Sequence, residues 1–364
     1  MPNRNVYTWR PGFLYERTHP AANSTIRSRN QYTVELLADV HGWTYVGELK
    51  GDISGLGPDD VLVPHVPIDE AFFDRLDRRP EVIGAVTPSP LLVQKTAARM
   101  PLSEAGFIPA DFPFDFADRV SSFSVPGYSC FDKADVDLAV ERLIAGGYTP
   151  RLKRARSSGG RGQLVPETRA QVVAFLEDIS EAEMRSTGVV VEANIDVDRE
   201  LCVGWMDVEG ERFSYVGVQR PPSRKNPHVG VKIAVRRGAL STWLDDPRVA
   251  HVSEVGGRIG EAIHEALALD VSRVAINLIE GTLVGGHDVR DDIFFTEHTV
   301  RIGVATGAEA LAQRSLLEGA TVAHAEAGAV DCMEPPTGSV ALSGYRDMLQ
   351  FYARPLLPSV RVAA

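Results

Sequence analysis

A basic, glycine-rich segment at residues 151–162 contains the clearest arrangement of chemistry-bearing residues in the chain. It has the sequence RLKRARSSGGRG, so a strand that carries Lys153 leads into a loop with three glycines. Glycines let backbone N–H groups come close to an anion, and lysine and arginine neutralise its charge. The segment has neither the Gly-Lys-Ser/Thr of a Walker loop nor Gly-x-Gly-x-x-Gly. It indicates a phosphate-binding loop, and the alternative is a basic hairpin turn.

Two acidic residues lie on either side of a turn between predicted strands. Glu192 ends the apolar run Val-Val-Val at 189–191, and Glu200 opens the next strand eight residues later. A carboxylate and the backbone groups at a strand end can hydrogen-bond the edge of an adenine, and a second acid could reach a ribose hydroxyl. The alternative interpretation is two solvated acids at strand ends.

A third pattern consists of oxygen-bearing side chains on two predicted strands near the C-terminus. In the segment 294–303, FFTEHTVRIG, alternation places Glu297, Thr299 and Arg301 on one face of an extended chain. Two oxygen ligands and a guanidinium on one face suit a magnesium ion that holds phosphates, and Asn277 on a neighbouring strand would add an oxygen. The alternative is a surface strand with a salt bridge.

The elements that must position these residues form a mixed α/β pattern. Residues 30–90 alternate short apolar strands with amphipathic helices, which is typical of a parallel sheet. The predicted helices include 28–40, 68–76, 91–105, 134–145, 168–176, 253–268 and 308–317. From Gly188 onward the strands alternate as antiparallel strands do. The predicted domains are residues 1–90, 91–187 and 188–330, followed by a tail, 331–364, with no assigned role.

The composition excludes several classes of protein. The chain has 364 residues and a net charge of −11, which argues against a sequence-independent nucleic-acid binder. Cys130, Cys202 and Cys332 are far apart and odd in number, so they suggest neither a disulfide framework nor a zinc site. The sequence has no apolar run of membrane-spanning length, and its first residues do not resemble a signal peptide. We therefore expect a cytoplasmic protein of two or three domains, or of one elaborate domain.

Taken in order, the three patterns resemble the ATP-grasp superfamily. The segment 94–109, QKTAARMPLSEAGFIP, is similar to the superfamily's lysine-bearing helix that precedes the nucleotide domain. The resemblance is closest to an uncharacterised bacterial family of ATP-grasp-like proteins, through segments 125–128, 152–162, 219–220 and 301–307. It implies an α/β fold, α+β in its C-terminal part, in which a small α/β domain precedes two α+β lobes that grip the nucleotide.

The resemblance also implies roles for individual residues. It assigns Lys95 and Lys153 to the ATP phosphates, and Glu200 to the ribose. Arg301 would hold the acyl-phosphate or the acceptor carboxylate, and Arg161 would help to neutralise phosphate. The remaining roles are a phosphate lid (Ser158, Gly159, Gly160, Gly162), adenine contacts (Glu192, Ile195) and magnesium ligands (Glu297, Asn277, Thr299). Arg220 and Lys232, on predicted strands facing the same cleft, are weaker candidates for substrate contacts, and the alternative for each is a solvated strand residue.

The function implied is an ATP- and Mg²⁺-dependent ligase that joins a carboxylate to an amine or thiol through an acyl-phosphate. Its partners would be ATP and small molecules, not nucleic acid or membrane, with a homodimer left open. The superfamily usually has an acid at position 277 and Asn at 299, and the amide at Asn277 removes a negative charge from the metal site. His298 and Asp288 could compensate. The alternatives are a nucleotide-binding regulatory or scaffold protein with a degenerate metal site, or a phosphotransferase.

Overall fold

The computed structural model describes residues 4–10, 24–74, 76, 78–155, 157, 162–220, 230–285, 291–331, 340–341 and 349–356. Its helices are α1 (Ser24–His41), α2 (Phe114–Arg119), α3 (Lys133–Ala145), α4 (Arg169–Glu177), α5 (Glu181–Thr187), α6 (Ala250–Ala266) and α7 (Val304–Leu317). Single 3₁₀ turns lie at Glu70–Phe72, Pro90–Val93, Lys95–Ala98 and Leu240–Trp243. No helix among these residues is long and apolar enough to cross a membrane.

The strands are β1 (Asn5–Arg10), β2 (Thr44–Lys50), β3 (Val61–Pro64), β4 (Ile68–Asp69), β5 (Glu81–Val82), β6 (Ala85–Thr87), β7 (Gly127–Cys130), β8 (Pro150–Arg154), β9 (Gln163–Leu164), β10 (Val189–Ala193), β11 (Ile195–Val208), β12 (Glu211–Arg220), β13 (Gly230–Arg237), β14 (Asp270–Val271), β15 (Arg273–Leu283), β16 (Asp291–Thr299), β17 (Ala323–Asp331), β18 (Val340–Ala341) and β19 (Leu349–Leu356). The fold is mixed α/β with several sheets, which confirms the predicted class.

The N-terminal sheet is parallel and has the order β2-β1-β3-β5. From β1 the chain passes through α1 to β2 on one side, and then crosses to β3 on the other side of β1. The reversal makes the carboxyl ends of β1 and β3 a topological switch point, where open α/β sheets commonly form a ligand crevice.

Buried polar side chains line this carboxyl edge. Asn30 Nδ2 donates to His65 Nδ1 at 2.8 Å, so His65 Nε2 carries the proton and donates to Glu48 Oε1 at 3.2 Å. Glu48 also accepts from Arg10 at 2.8 Å and from Arg27 at 3.0 Å. Partial burial pushes the pKa of Glu48 up, but the hydrogen bond from His65 and the charges of Arg27 and Arg10 lower it to about 2.

We therefore expect Glu48 to contribute to stability at neutral pH. Its folded pKa lies below the ordinary value of 4.5, so its contribution is complete above pH 4.5 and is lost as the pH falls towards 2. In thermal unfolding between pH 7 and pH 2, the Tm difference between wild type and Glu48→Gln should be largest at neutral pH and should close below pH 4.5. A gap that stays constant across this range would contradict the expectation.

The middle sheet, antiparallel with the order β7-β10-β8-β9, packs against α3 and α4. Asp132 caps the N-terminus of α3 by accepting a hydrogen bond from the backbone N–H of Ala134. β10 brings Glu192 beside β8, which carries Lys153. This sheet therefore places the predicted adenine acid and a predicted phosphate lysine on adjacent strands.

The C-terminal sheet has the order β16-β15-β11-β12-β13-β17-β19-β18 and is antiparallel. One face packs against α6. The other face packs against α7 and α1 over part of its area, and its remaining part carries the polar residues described below. Predicted boundaries at 188 and 330 fall beside β10 and inside β17, and the domain division stays a prediction.

One irregularity lies in β16, next to the residues of chemical interest. Asn277 pairs with Glu297, but the preceding pair is Leu278 with Phe295, so Thr296 is an extra residue that forms a β-bulge. Thr296 Oγ1 donates to the carbonyl of Asn277 at 3.0 Å and holds the bulge in place. The bulge puts Glu297 on the polar face and leaves Phe295 buried on the other.

Two predicted helices are wrong. Residues 68–76 form strand β4 and one 3₁₀ turn that Asp69 caps. Residues 91–105 form two 3₁₀ turns, and Gln94 between them is extended. Residues 95–99 are buried, and Arg99 bonds both Glu192 of the middle sheet and the carbonyl of Phe295 of the C-terminal sheet, so tertiary contacts override the helical pattern.

Candidate functional site

Glu192 is the centre of a buried ion-pair cluster. It is 2% exposed and pairs with Lys153 through one carboxylate oxygen and with Arg99 through the other, at 3.1 Å. Burial pushes the pKa of Glu192 up, but the charges of Lys153 and Arg99 outweigh it and hold that pKa below its ordinary value. The carboxylate that the resemblance assigns to adenine therefore holds two cations in place.

Arg99 is a site residue that the sequence analysis missed. It is 3% exposed and lies where it can bond to both lobes. Besides Glu192 it donates to the carbonyl of Phe295 on β16 at 2.8 Å and to Ser124 Oγ at 3.1 Å. Arg99 thus ties the middle sheet to the strand that carries Glu297. The signal available in the sequence was a lone arginine four residues after Lys95 in an otherwise apolar segment.

Lys95 makes a second link between the middle sheet and the C-terminal sheet, which Arg99 also joins. Its Nζ lies 3.2 Å from Glu297 Oε2 and donates to the carbonyl of Ser157 at 2.5 Å. Ser157 lies within the glycine-rich segment, so Lys95 joins that segment to the C-terminal sheet. The structure therefore brings together Lys95, Lys153, Glu192 and Glu297, which the sequence placed on four separate segments.

The polar face of the C-terminal sheet presents oxygen-bearing side chains on neighbouring strands. Asn277 Nδ2 donates to Glu297 Oε1 at 3.1 Å, and Gln219 Nε2 donates to Asn277 Oδ1 at 2.8 Å. Glu200 pairs in register with Gln219, so it lies on the same face. Thr299 shares this face through its pairing with Ala275. Gln219 is a second residue to which the sequence assigned no role.

The two carboxylates on this face differ in their titration. Burial pushes the pKa of Glu297 up, but Lys95, Lys153 and the hydrogen bond from Asn277 hold it below its ordinary value. The pKa of Glu200 is raised, mainly by burial; Lys153 opposes the rise and the charge of Glu297 adds to it. Glu297 is therefore the stronger candidate for holding a cation.

These residues fit a magnesium ion only together with a nucleotide. Among the residues that the structure describes, no group of three or more His, Cys, Asp or Glu side chains is placed to hold a metal. Mg²⁺ in nucleotide sites commonly uses one or two carboxylates, with phosphates and water for the rest. Glu297, on the same face of the sheet as Asn277 and Thr299, offers one such carboxylate.

Two further expectations are wrong. Lys232 pairs in register with Val218, on the opposite sheet face from Gln219, and lies 3.8 Å from Glu326. It therefore does not face the cleft. His298 also points to the other face, where it is buried between Phe116 and Phe295 and bonds the carbonyl of Leu92 at 3.0 Å. It cannot compensate for the missing acid.

Of the remaining predicted site residues other than Arg301, two have a structural role and take no part in the ion pairs above, and the others lie outside the described residues. Gly162 has φ +64°, and a Cβ there would lie 2.9 Å from Ser157 Cβ, so glycine is required. Ile195, the first residue of β11, is buried in an apolar cluster with Val125 and Phe294. Some predicted residues lie outside the described part of the chain: Ser158, Gly159, Gly160, Arg161, Asp288 and the side chain of Arg220.

Arg301 follows β16 at the far end of the polar face. It is half-buried, donates to the carbonyl of Ile302 at 3.1 Å, and accepts a hydrogen bond from Arg273 at its own carbonyl. It lies near Arg29 of the N-terminal domain, since its charge lowers the pKa of Arg29. The structure thus places Arg301 at the boundary between the N-terminal domain and the C-terminal sheet.

Comparison with solved structures shows an ATP-grasp fold. N5-carboxyaminoimidazole synthetase from Staphylococcus aureus, complexed with ADP, is 10% identical, with a TM-score of 0.59 over 97% of this chain and 93% of that one. The biotin carboxylase domain of 2-oxoglutarate carboxylase from Hydrogenobacter thermophilus, with MgADP and bicarbonate, is 13% identical, with a TM-score of 0.57 over 97% and 86%. Biotin carboxylase from Campylobacter jejuni is 11% identical, with a TM-score of 0.54 over 97% and 87%.

No curated protein matches the sequence. The family model described as "Protein of unknown function (DUF3182)" matches residues 14–346, which is most of the chain. The protein is thus a member of the DUF3182 family, with the fold of the ATP-grasp enzymes.

Proposed function

We propose that the protein is an ATP-dependent ligase that joins a carboxylate to an amine or thiol through an acyl-phosphate. The observation that supports this proposal is the convergence of Lys95, Lys153, Glu192 and Glu297 where the middle sheet meets the C-terminal sheet. The fold it shares with nucleotide-bound synthetases and carboxylases supports it. Neither the carboxylate nor the nucleophile is identified by these residues.

The chemistry requires little covalent participation by the protein. The γ-phosphoryl group of ATP passes to a carboxylate oxygen of the substrate, which gives ADP and an acyl-phosphate. An amine or thiol then attacks the acyl carbon, phosphate leaves with the C–O electron pair, and the nucleophile loses its proton. Positioning and neutralisation of phosphate charge supply most of the catalysis in such transfers.

We assign these tasks to the chain's own groups. Lys95 and Lys153 would neutralise the phosphates, with Glu192 and Arg99 fixing the position of Lys153. Arg301 would hold the substrate carboxylate. Glu297 is the carboxylate that would hold Mg²⁺ when the metal binds with the nucleotide, and the metal would supply neutralisation of phosphate charge.

Replacing Lys153 with alanine is expected to weaken MgATP binding at least about tenfold while the fold is retained, since Glu192 keeps its bond to Arg99. A ligand at 100 times its Kd stabilises the native state by about 2.7 kcal/mol, so thermal unfolding with and without MgATP measures the effect. Lys232→Ala is the matched control because Lys232 lies on the opposite face of the sheet. A folded Lys153→Ala variant with wild-type affinity would remove the central claim.

A nucleotide-binding regulatory protein is the second candidate function. Two of the three predicted magnesium ligands, Asn277 and Thr299, are uncharged, and Glu297 is the carboxylate among the three. A metal site with a single carboxylate favours a protein that binds nucleotide without turnover. A ligase releases ADP and phosphate only when its carboxylate and nucleophile are present, whereas a regulator binds without turnover. Screening mixtures of carboxylates and amines for ADP release separates the two, and a stable phosphorylated product would instead identify a phosphotransferase.

A further inference from the structure

A surface cavity of about 490 Å³ lies on the face of the C-terminal sheet that packs against α6. Its walls are α6, the 3₁₀ turn Leu240–Trp243, and the adjoining parts of β11, β12 and β14. Trp205 of β11 lies in the wall, and alternation along that strand puts it on the opposite face from Glu200. The cavity is therefore separate from the polar face that carries Glu297. Its volume falls in the range of small-molecule pockets, roughly 300–1,000 Å³.

Three glycines of α6 lie at or beside this cavity, and packing explains two of them. A Cβ at Gly256 would lie 2.2 Å from Val203 Cγ2, and a Cβ at Gly260 would lie 2.9 Å from Trp205 Cζ3, so the close approach of the helix to the sheet requires both. A Cβ at Gly257 would meet no atom within 4 Å, and Gly257 lines the cavity. Glycine inside a helix is less stable than alanine, so this position loses stability without a packing reason. What Gly257 does is keep the cavity open.

Two residues in the cavity wall carry buried polar groups that have no hydrogen-bond partner among the described residues. Trp205 is 7% exposed, and its indole Nε1–H has no acceptor; Ser253 on α6 is 1% exposed, and its Oγ has no partner. Buried polar groups in folded proteins are nearly always paired, because leaving one unpaired is unfavourable. Indole nitrogen only donates and a serine hydroxyl can donate, so an oxygen atom of a bound molecule is the partner that suits both.

The charged side chains in the wall leave one carboxylate unpaired. In the part of the chain that the structure describes, Glu261 on α6 lines the cavity and has neither an ion-pair nor a hydrogen-bond partner. The arginines of the wall and its other paired acid have partners of opposite charge: Arg212 with Asp207 at 2.6 Å, Arg258 with Glu254 at 3.7 Å, and Glu265 with Arg119 at 2.6 Å. Charge complementarity therefore favours a cation in this cavity over an anion.

We propose that this cavity binds a small organic cation, an ammonium group on an apolar body that also carries an oxygen atom. The ammonium group pairs with Glu261. The apolar body lies against Leu240, Val271 and Leu244, and Leu244 is a large apolar side chain left half exposed in the structure. The oxygen accepts a hydrogen bond from Trp205 or Ser253. This site goes beyond the proposed ligase function and does not depend on it, because it lies on the other face of the sheet.

Thermal unfolding of the full chain tests the proposal with three probes of similar shape at a constant ionic strength set with NaCl. Tyramine carries an ammonium group, an aromatic ring and a phenolic oxygen. Tyrosol has a neutral hydroxyl in place of the ammonium group, and 3-(4-hydroxyphenyl)propionate has a carboxylate there. We expect tyramine to raise the Tm most, tyrosol less and the propionate not at all. No shift with tyramine, or a shift with the propionate as large as that with tyramine, would overturn the proposal.

Variants connect the tyramine response to this cavity, with each Kd taken from the dependence of Tm on probe concentration. Gly257→Leu fills the cavity from a position whose Cβ meets no atom, so it should abolish the response, and Gly257→Met replaces it if the leucine variant fails to fold. Glu261→Gln should weaken tyramine binding about threefold, as expected for an exposed ion pair. Glu177→Gln, at an exposed carboxylate that ends α4, is the control and should keep the wild-type Kd. A tyramine response unchanged in the Gly257 variant would overturn the site, and a Kd unchanged in Glu261→Gln would overturn the role of that carboxylate.

Discussion

Glu192→Ala is expected to lower the free energy of unfolding by about 3–5 kcal/mol, the usual cost of removing one partner from a buried ion pair. The variant would leave the buried charges of Lys153 and Arg99 next to each other without the carboxylate that pairs with both. Burial already lowers the pKa of Arg99 even with Glu192 present. Urea unfolding, with the midpoint and the m-value fitted together, measures the loss.

The matched control for this variant is a glutamate in an exposed ion pair. Glu181 pairs with Arg185 one turn along α5, at 3.1 Å, and both side chains are solvated. Glu181→Ala should change stability by less than about 1 kcal/mol, because exposed pairs are worth little. Similar losses in the two variants would mean that Glu192 does not balance the two cations as described.

Glu297→Gln is expected to make nucleotide binding less dependent on Mg²⁺. In the structure Glu297 pairs with Lys95, so under the proposed function ATP would compete with this carboxylate for the lysine, and Mg²⁺ held by Glu297 would relieve the competition. The amide would free Lys95 and remove a negative charge that repels phosphate. ATP in the presence of EDTA should then bind about tenfold more tightly to the variant than to wild type, a gain of about 1.4 kcal/mol.

Isothermal titration with ATP, in EDTA and in excess Mg²⁺, measures both affinities for each protein. Glu326→Gln is the control, since Glu326 also pairs with cations on this sheet but on the opposite face from Glu297. It should keep the wild-type ratio between the two affinities. If Glu297→Gln kept the wild-type ratio between the affinities in EDTA and in excess Mg²⁺, this carboxylate would not be the one that holds the metal.

Local patterns in the sequence predicted most of the ionic groups of the site. Lys153 could be found because it precedes a glycine-rich loop, and Glu192 because it ends an apolar strand. Strand alternation predicted that Glu297 and Thr299 share a face, and the structure has them so. In each case the informative neighbours lie within a few residues, so the signal is local. Their roles with nucleotide and metal stay predictions.

The partners of these groups could not be predicted in the same way. Arg99 reaches Phe295 across 196 positions, and Gln219 reaches Asn277 across 58. Such contacts depend on strand order and on how the lobes pack, which a single sequence does not specify. The helix predicted at 91–105 failed for the same reason, because burial on all sides overrides a one-sided helical pattern.

The bulge at Thr296 allows β16 to lose one residue without changing which side chains face the cleft. A chain one residue shorter at that point would have a regular ladder, with Phe295 still facing the core and Glu297 still facing the cleft. Removing His298 instead would turn Thr299 onto the buried face, because each residue of a strand alternates in direction. Related chains can therefore differ by a one-residue gap at Thr296 and still align in space at Glu297, and an alignment that moves the gap by two positions would pair residues from opposite faces.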